Sequence, residues 1–161
     1  MGKKMDIQVD ILNEYKRWID CASDEEIKQE LALMKDNFEE INESFYKELD
    51  FGTSGMRGIL GAGTNRLNTY VLRRSNLALA SHINKNCASK SVVISYDSRK
   101  NSSRFARETA ALMSAMGIKA YLFSELTPVP VLVYAITKLS CDYGIMITAS
   151  HNPAVYNGYK V

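Results

Sequence analysis

The sequence predicts an α/β fold, in which a mixed, largely parallel sheet lies between layers of helices and is preceded by an N-terminal helical arm. Two observations predict it. From residue 69 onwards, apolar runs of strand length alternate with amphipathic segments of helix length, which requires crossover connections between parallel strands. Before residue 45 the apolar residues recur only at helical spacing, among many charges. We therefore divide the chain into an arm, residues 1–44, and an α/β domain, residues 45–161.

The arm is predicted to hold two amphipathic helices. Between them, the run Ser23-Asp24-Glu25-Glu26 matches a capping box, in which Ser23 caps the start of the second helix. We interpret the two apolar stripes as core faces. They consist of Ile11, Tyr15, Trp18 and Ile19, and then of Ile27, Leu31, Met34 and Phe38.

The α/β domain begins with a glycine-rich stretch, "ELDFGTSGMRGILGAGTNRLN", which is predicted to be strand and loop. The alternating part follows. Its predicted elements are a helix from Thr69 to about Asn84, a strand Ser91–Tyr96, a helix carrying Phe105 and Met113, a strand "KAYLFS", a helix opening at Thr127-Pro128 and ending near Lys138, and a strand "DYGIMITAS".

Composition excludes several function classes. A formal net charge of +2 offers no dense basic patch, so we predict no nucleic-acid partner. No apolar run approaches membrane-spanning length, so we predict no membrane association. Three widely spaced cysteines suggest neither a disulfide framework nor a zinc site, and a cytoplasmic location is predicted. Composition leaves the oligomeric state open.

Three loops that leave predicted strands are candidates for a ligand site, because open α/β sheets bind ligands at the carboxyl ends of their strands. In the first, Gly52–Gly58, the hydroxyls of Thr53 and Ser54 and the guanidinium of Arg57 stand among glycines. Such a loop fits a phosphate cradle, although it is neither a Walker loop nor a G-x-G-x-x-G motif. A glycine-rich turn with a surface arginine fits the pattern equally well.

The second loop, Asp97–Lys100, directly follows the predicted strand Ser91–Tyr96. For Asp97 we favour a structural role, either capping the next helix or pairing with Arg99. Arg99 itself fits a phosphate contact or, more commonly for such a residue, a solvated charge.

The third loop sets Ser150 next to His151. A hydrolase dyad is a poor interpretation, because adjacent side chains in an extended segment point apart. A nucleophile elbow is excluded, since Thr148 and Asn152 stand where that motif needs glycines. Taken alone, the motif fits a serine that helps the chain to turn before Pro153.

The strings "FGTSGMRG", "DSR" and "TASHNP...YNGYK", in this order, resemble the N-terminal domain of the α-D-phosphohexomutases, the family of phosphoglucomutase and phosphomannomutase. TASHNP is a highly specific string, and the resemblance covers about residue 40 to the end. It implies a fold of the phosphohexomutase domain I type. It also implies that the chain is a truncated enzyme, which lacks three later domains and is inactive alone.

The resemblance implies an isomerase that moves a phosphoryl group between C1 and C6 of a hexose phosphate, through a phosphoserine and a bisphosphorylated sugar. Ser150 would be the phosphoserine, His151 a helper in proton transfer and Lys160 the candidate general base. The implied phosphate or substrate contacts are Thr53, Ser54, Arg57, Arg99 and Asn152.

The implied cofactors are Mg²⁺ and, as an activator, glucose 1,6-bisphosphate. The chain has no D-x-D pair, so the phosphate on Ser150 would be its only magnesium ligand. Three alternatives remain: a phosphomannomutase or phosphopentomutase of the same family, a stand-alone phosphosugar-binding module, and a serine hydrolase.

Overall fold

The computed structural model describes residues 2–53 and 55–161, with side chains from residue 8 onwards. The described helices are α1 (Gly2–Cys21), α2 (Glu25–Leu33), α3 (Phe38–Phe45), α4 (Thr69–Asn86), α5 (Ser102–Ala115) and α6 (Val129–Lys138). The described strands are β1 (Phe51–Gly52), β2 (Gly55–Ile59), β3 (Ser91–Tyr96), β4 (Lys119–Leu122), β5 (Tyr143–Ile147) and β6 (Tyr156–Lys160).

All these strands form one mixed sheet, in the order β1-β2-β6-β5-β3-β4. The pairs β3–β4 and β3–β5 are parallel, whereas β5–β6, β2–β6 and β1–β2 are antiparallel. It follows that β2, β3, β4 and β5 run in one direction, and that β1 and β6 oppose them. The predicted α/β class and mixed sheet are confirmed.

Helices cover both faces of the sheet, as predicted. Strand residues alternate between two cores: Ile145 and Ile147 face the layer of α4 and α5, whereas Met146 packs with Leu132 of α6 on the other face. This alternation is what a strand buried on both faces requires. The α4–α5 core also contains Leu72, Ile83, Ile94, Phe105, Met113 and Tyr159, all with 2% exposure or less.

The arm contains three helices, so the two-helix prediction was wrong. The extra helix, α3, begins after Asn37, whose side chain accepts a hydrogen bond from the Glu40 N–H at 3.2 Å. Its buried residues Ile41 and Phe45 lie four positions apart on one face. Together α1, α2 and α3 build a separate cluster that reaches the domain at Ala62 and Tyr70.

The start of α2 also differs from the prediction, because its N-cap is Asp24 and not Ser23. The Asp24 carboxylate accepts from the Glu26 N–H at 3.1 Å. The backbone N–H groups of Ser23 and Asp24 both donate to the Tyr70 hydroxyl, at 2.7 and 3.0 Å. This contact with α4 fixes Ser23 one residue outside the capping position. At α6 the helix begins at Val129, one residue later than predicted.

None of the described helices combines the length and the apolar character needed to cross a membrane.

Replacing Gly55 by alanine is expected to lower the free energy of unfolding by at least about 3 kcal/mol. Gly55 has a φ of +125°, and a Cβ there would lie 1.9 Å from the Tyr159 carbonyl oxygen on β6. Gly117→Ala is the matched control, because Gly117 has a φ of +76° but open space around its Cβ position. Its free energy of unfolding should fall by only about 1–2 kcal/mol, the cost of placing alanine in the left-handed region. Equal losses in urea unfolding of the two variants would contradict the steric argument.

Candidate active site at the carboxyl edge of the sheet

Ser150 lies in a tight turn directly beyond the carboxyl end of β5. Its φ of 58° is left-handed, which costs a non-glycine residue about 1–2 kcal/mol. The turn is held locally, because the Ser150 N–H donates to the Thr148 hydroxyl at 2.9 Å and the Asn152 N–H donates to the Ala149 carbonyl at 3.1 Å. Thr148 and Ala149 are buried, whereas Ser150 is exposed. A fixed backbone therefore presents the serine hydroxyl to solvent.

His151 lies next to this hydroxyl, with its Nδ1 3.5 Å from the Ser150 Oγ. The extended conformation assumed from the sequence was wrong, because the left-handed turn brings the two side chains to the same side. The distance still exceeds the roughly 2.6–3.2 Å over which a general base takes a proton. No described carboxylate lies within hydrogen-bonding distance of His151 to orient its ring. This geometry gives the hydrolase alternative no support.

Arg57 lies beside the same turn, but on a strand and not in a loop. The prediction of a loop at Gly52–Gly58 was wrong, because β1 and β2 form a hairpin and Arg57 lies within β2, opposite Gly158 of β6. Its exposed guanidinium donates from Nη1 to the Asn152 Oδ1 at 2.6 Å. The structure thus brings Arg57 and Asn152 together next to Ser150.

The Thr53 hydroxyl, proposed for a phosphate cradle, lies away from this cluster. Thr53 lies in the turn between β1 and β2, at the end of β2 that pairs with Lys160 and not at the end that pairs with Tyr156. Ser54 lies outside the described residues. Among the described residues of the first predicted loop, Arg57 is the one whose side chain bonds to the Ser150 turn.

Arg99, for which a phosphate contact was predicted, is bound to the backbone of the Ser150 turn. Its Nη1 and Nη2 donate to four carbonyl oxygens, and its Nε lies 3.3 Å from the Asp97 carboxylate. The four acceptors, at 2.9, 2.7, 2.9 and 3.0 Å, are the carbonyls of Ser150, Asn152, Pro153 and Tyr156. The four N–H groups of its two Nη atoms are therefore engaged by the turn. With its side chain 15% exposed, Arg99 is not a solvated charge.

Asp97 has the structural role expected from the sequence. Its Oδ1 accepts from the Arg99 N–H at 3.0 Å and from the Ser102 hydroxyl at 2.7 Å, while Oδ2 faces the Arg99 guanidinium. The carboxylate therefore ties the β3–α5 connection, the first turn of α5 and the Arg99 side chain to one another.

Asn157 is a supporting residue that the sequence interpretation missed. It is fully buried, and its Nδ2 donates to the Lys100 carbonyl at 3.0 Å and to the Ser102 hydroxyl at 2.8 Å. Its Oδ1 accepts from the Gly158 N–H at 2.8 Å. The sequence does contain a signal for this role, because Asn157 is an amide inside the strand-like run "YNGYK". A buried amide is hydrogen-bonded in a folded protein, so such a residue is a candidate for a structural role.

Lys160 lies at the end of β6, on the same face of the sheet as Arg57. This follows from the register, because Arg57 lies opposite Gly158 and residues two apart on a strand share a face. Its neighbour Tyr159 faces the core, where burial raises the pKa of the phenol above its usual range. Lys160, the predicted base, therefore lies on the face of the sheet opposite to Tyr159, two positions along β6 from Gly158.

The family model described as "Phosphoglucomutase/phosphomannomutase, alpha/beta/alpha domain I" matches residues 48–161. The chain belongs to this family. It is 40% identical over 144 residues to a phosphoglucomutase of Staphylococcus aureus, covering 89% of this chain and 26% of the relative. It is 36% identical over 173 residues to a phosphopentomutase of Mus musculus, covering 99% of this chain and 27% of that relative.

Among solved structures, this phosphohexomutase chain is similar to a "putative phosphomannomutase" of Thermus thermophilus. The TM-score is 0.65 at 32% identity, over 71% of this chain and 25% of the other. The family resemblance and the domain I type of fold are thereby confirmed. The chain spans about a quarter of the length of the relatives it matches.

The charge around Ser150 suits an anion. The segment from Thr148 to Val161 contains no aspartate or glutamate, and the nearby Asp97 is neutralised by Arg99. The guanidinium of Arg57 and the imidazole of His151 both lie beside this turn. Within residues 2–53 and 55–161 there is no group of three or more His, Cys, Asp or Glu side chains that could hold a metal ion.

Proposed function

We propose that this protein is a phosphoglucomutase-type isomerase in which Ser150 carries a phosphoryl group between C1 and C6 of a hexose phosphate. The observation that carries the proposal is the Ser150 hydroxyl itself, exposed on a strained turn beside the guanidinium of Arg57. Family membership supports the same chemistry, because the matched region contains this serine.

In the first half-reaction the bond between phosphorus and the Ser150 Oγ breaks, and a new bond forms to a hydroxyl oxygen of the sugar. The proton of that hydroxyl passes to a base, and the product is a bisphosphorylated sugar. In the second half-reaction the other phosphoryl group returns to the Ser150 Oγ. Phosphoryl transfer asks a protein mainly to align oxygens and to neutralise charge, so a serine on a rigid turn next to a guanidinium fits the task.

Four neighbouring residues take supporting roles in this proposal. Arg57 exchanges its bond to Asn152 for phosphate oxygens, and Asn152 presents its side chain to the same anion. His151, whose Nδ1 lies 3.5 Å from the Ser150 Oγ, assists proton transfer at that oxygen once the two atoms approach to hydrogen-bonding distance. Lys160, on the Arg57 face of the sheet, accepts the proton of the sugar hydroxyl. The position of Thr53 gives its proposed phosphate contact no support.

Magnesium and glucose 1,6-bisphosphate belong to the proposal through the family and not through this geometry. Residues 2–53 and 55–161 contain no group of three or more His, Cys, Asp or Glu side chains for a metal ion, and the phosphate on Ser150 is the magnesium ligand that we propose from this chain. A cytoplasmic location is likewise proposed and not observed.

The proposal is tested by treating the complete gene product with glucose 1,6-bisphosphate that carries a labelled phosphate. We expect the label on the Ser150 peptide in mass spectrometry. Reversible binding without label would favour a phosphosugar-binding module, and reaction of Ser150 with a fluorophosphonate would favour a hydrolase. Comparing kcat/KM for glucose, mannose and ribose monophosphates then separates the phosphoglucomutase from the phosphomannomutase and phosphopentomutase alternatives.

Arg57→Ala is expected to lower kcat/KM of the complete gene product about 10- to 100-fold without unfolding it. The variant removes a charge-assisted contact to phosphate, worth about 1.5–3 kcal/mol. Because Arg57 is exposed, its loss leaves no buried group unpaired. Arg74→Ala is the matched control, since Arg74 is an exposed arginine paired with Glu48 away from the Ser150 turn. A rate within twofold of wild type for Arg57→Ala would remove Arg57 from the site.

A further inference from the structure

The Ser150 turn and the β3–α5 connection are joined by a single guanidinium. Arg99 donates to carbonyl oxygens distributed over residues 150–156, while its own backbone lies 51 to 57 positions earlier in the chain. We propose that Arg99 is a positioning residue for phosphoryl transfer, a clamp that holds Ser150 in its left-handed conformation. The proposal rests on the proposed function of Ser150.

The side chain must be an arginine to make these contacts. Four carbonyl oxygens and one carboxylate converge on it, and the planar guanidinium presents five N–H donors in a fixed fork. Lysine has three donors on one nitrogen, so it would leave at least two of the five acceptors unbound. Backbone carbonyls of a partly buried turn need partners, so the turn would rearrange to find them in water.

Rearrangement of the turn would move the reacting oxygen. Serine adopts a φ of 58° only where its surroundings impose it. Two contacts impose it here: the Thr148 hydroxyl binds the Ser150 N–H, and Arg99 binds the Ser150 carbonyl. Without the second contact the Ser150 peptide is free to rotate toward the right-handed region, which redirects the Cβ–Oγ bond.

The Arg99 guanidinium is itself held in place by Asp97. Asp97 binds its Nε side and also the hydroxyl of Ser102, and Ser102 accepts from the buried amide of Asn157 on β6. The clamp is therefore anchored to both β3 and β6, the strands on either side of β5. Asp97→Asn should loosen the clamp while keeping the guanidinium, and hence should have a smaller effect than a change of Arg99.

The test is steady-state kinetics of Arg99→Lys in the complete gene product, with hydrogen exchange of the same sample. We expect kcat to fall about 100-fold with KM within about threefold, because a displaced nucleophile loses alignment but not substrate contacts. Amide exchange should accelerate in residues 149–156. Asp97→Asn should lower kcat about 10-fold with a smaller change in exchange. Arg73→Lys is the matched control, since Arg73 makes two bonds to the Glu108 carboxylate outside the turn.

Several outcomes would overturn the inference. One is a kcat for Arg99→Lys equal to that of Arg73→Lys; another is a fall in kcat with unchanged exchange in residues 149–156. If Arg99→Lys does not fold, the Asp97→Asn variant is the test of the clamp. Unchanged kcat and unchanged amide exchange in Asp97→Asn would then reject it. If the wild-type protein acquires no label at Ser150, the proposed function fails, whereas the exchange of residues 149–156 in the variants still tests the clamp.

Discussion

Ser150→Ala is expected to abolish isomerase activity in the complete gene product while leaving its fold intact. The hydroxyl is exposed, and its described contact is the His151 Nδ1 at 3.5 Å. Its loss should change the free energy of unfolding by no more than about 0.5–1.5 kcal/mol, the net value of one hydrogen bond. The backbone bond from the Ser150 N–H to Thr148 does not involve the hydroxyl and is retained.

The activity should respond quite differently, because the Ser150 oxygen is the covalent relay of the proposed reaction. Without it the first half-reaction has no phosphoryl donor. The measurement is a coupled assay of glucose 1-phosphate conversion to glucose 6-phosphate, together with a urea denaturation curve. Ser81→Ala, at an exposed serine of α4, is the control. A near-normal rate with alanine at position 150 would contradict the phosphoserine mechanism.

The regular part of the domain could be predicted because burial leaves a strong local pattern. The strand Ser91–Tyr96 is buried at every position, and its predicted bounds agree with the structure. In contrast, β2 was taken for a loop because it contains two glycines within five residues, and glycine is depleted in strands. It forms a strand because β1 and β6 pair with it from both sides, and the pairing with β6 depends on residues about 100 positions away.

The residues of the site also divide into those that local sequence predicts and those that depend on distant partners. Ser150, His151 and Arg57 were found from short motifs, since the residue types that mark them stand next to one another in the chain. The role of Arg99 could not be found locally, because its acceptors are backbone carbonyls, which have the same chemistry in every residue. Only the fold decides which carbonyls meet the guanidinium. Asn157 was missed for a related reason, as its partners lie on the β3–α5 connection.

The 161-residue chain by itself is expected to show no measurable isomerase turnover. The chain spans about a quarter of the length of its relatives, and its described residues offer no metal-binding cluster. The Ser150 turn is exposed, so no described element closes over a bound sugar to exclude water and fix its hydroxyls. Positioning of this kind lowers a barrier by about 7–11 kcal/mol, and its absence would reduce the rate by about five to eight orders of magnitude.

The measurement is the same coupled assay on purified residues 1–161, with the Ser150→Ala form of that polypeptide as a control for host enzyme. A rate that is detectable and disappears in the alanine variant would contradict the prediction. Slow transfer of label from glucose 1,6-bisphosphate to Ser150 would not contradict the prediction. One transfer to an exposed hydroxyl needs less alignment than a complete catalytic cycle. In a complete cycle the sugar must present two different oxygens in turn to the same serine.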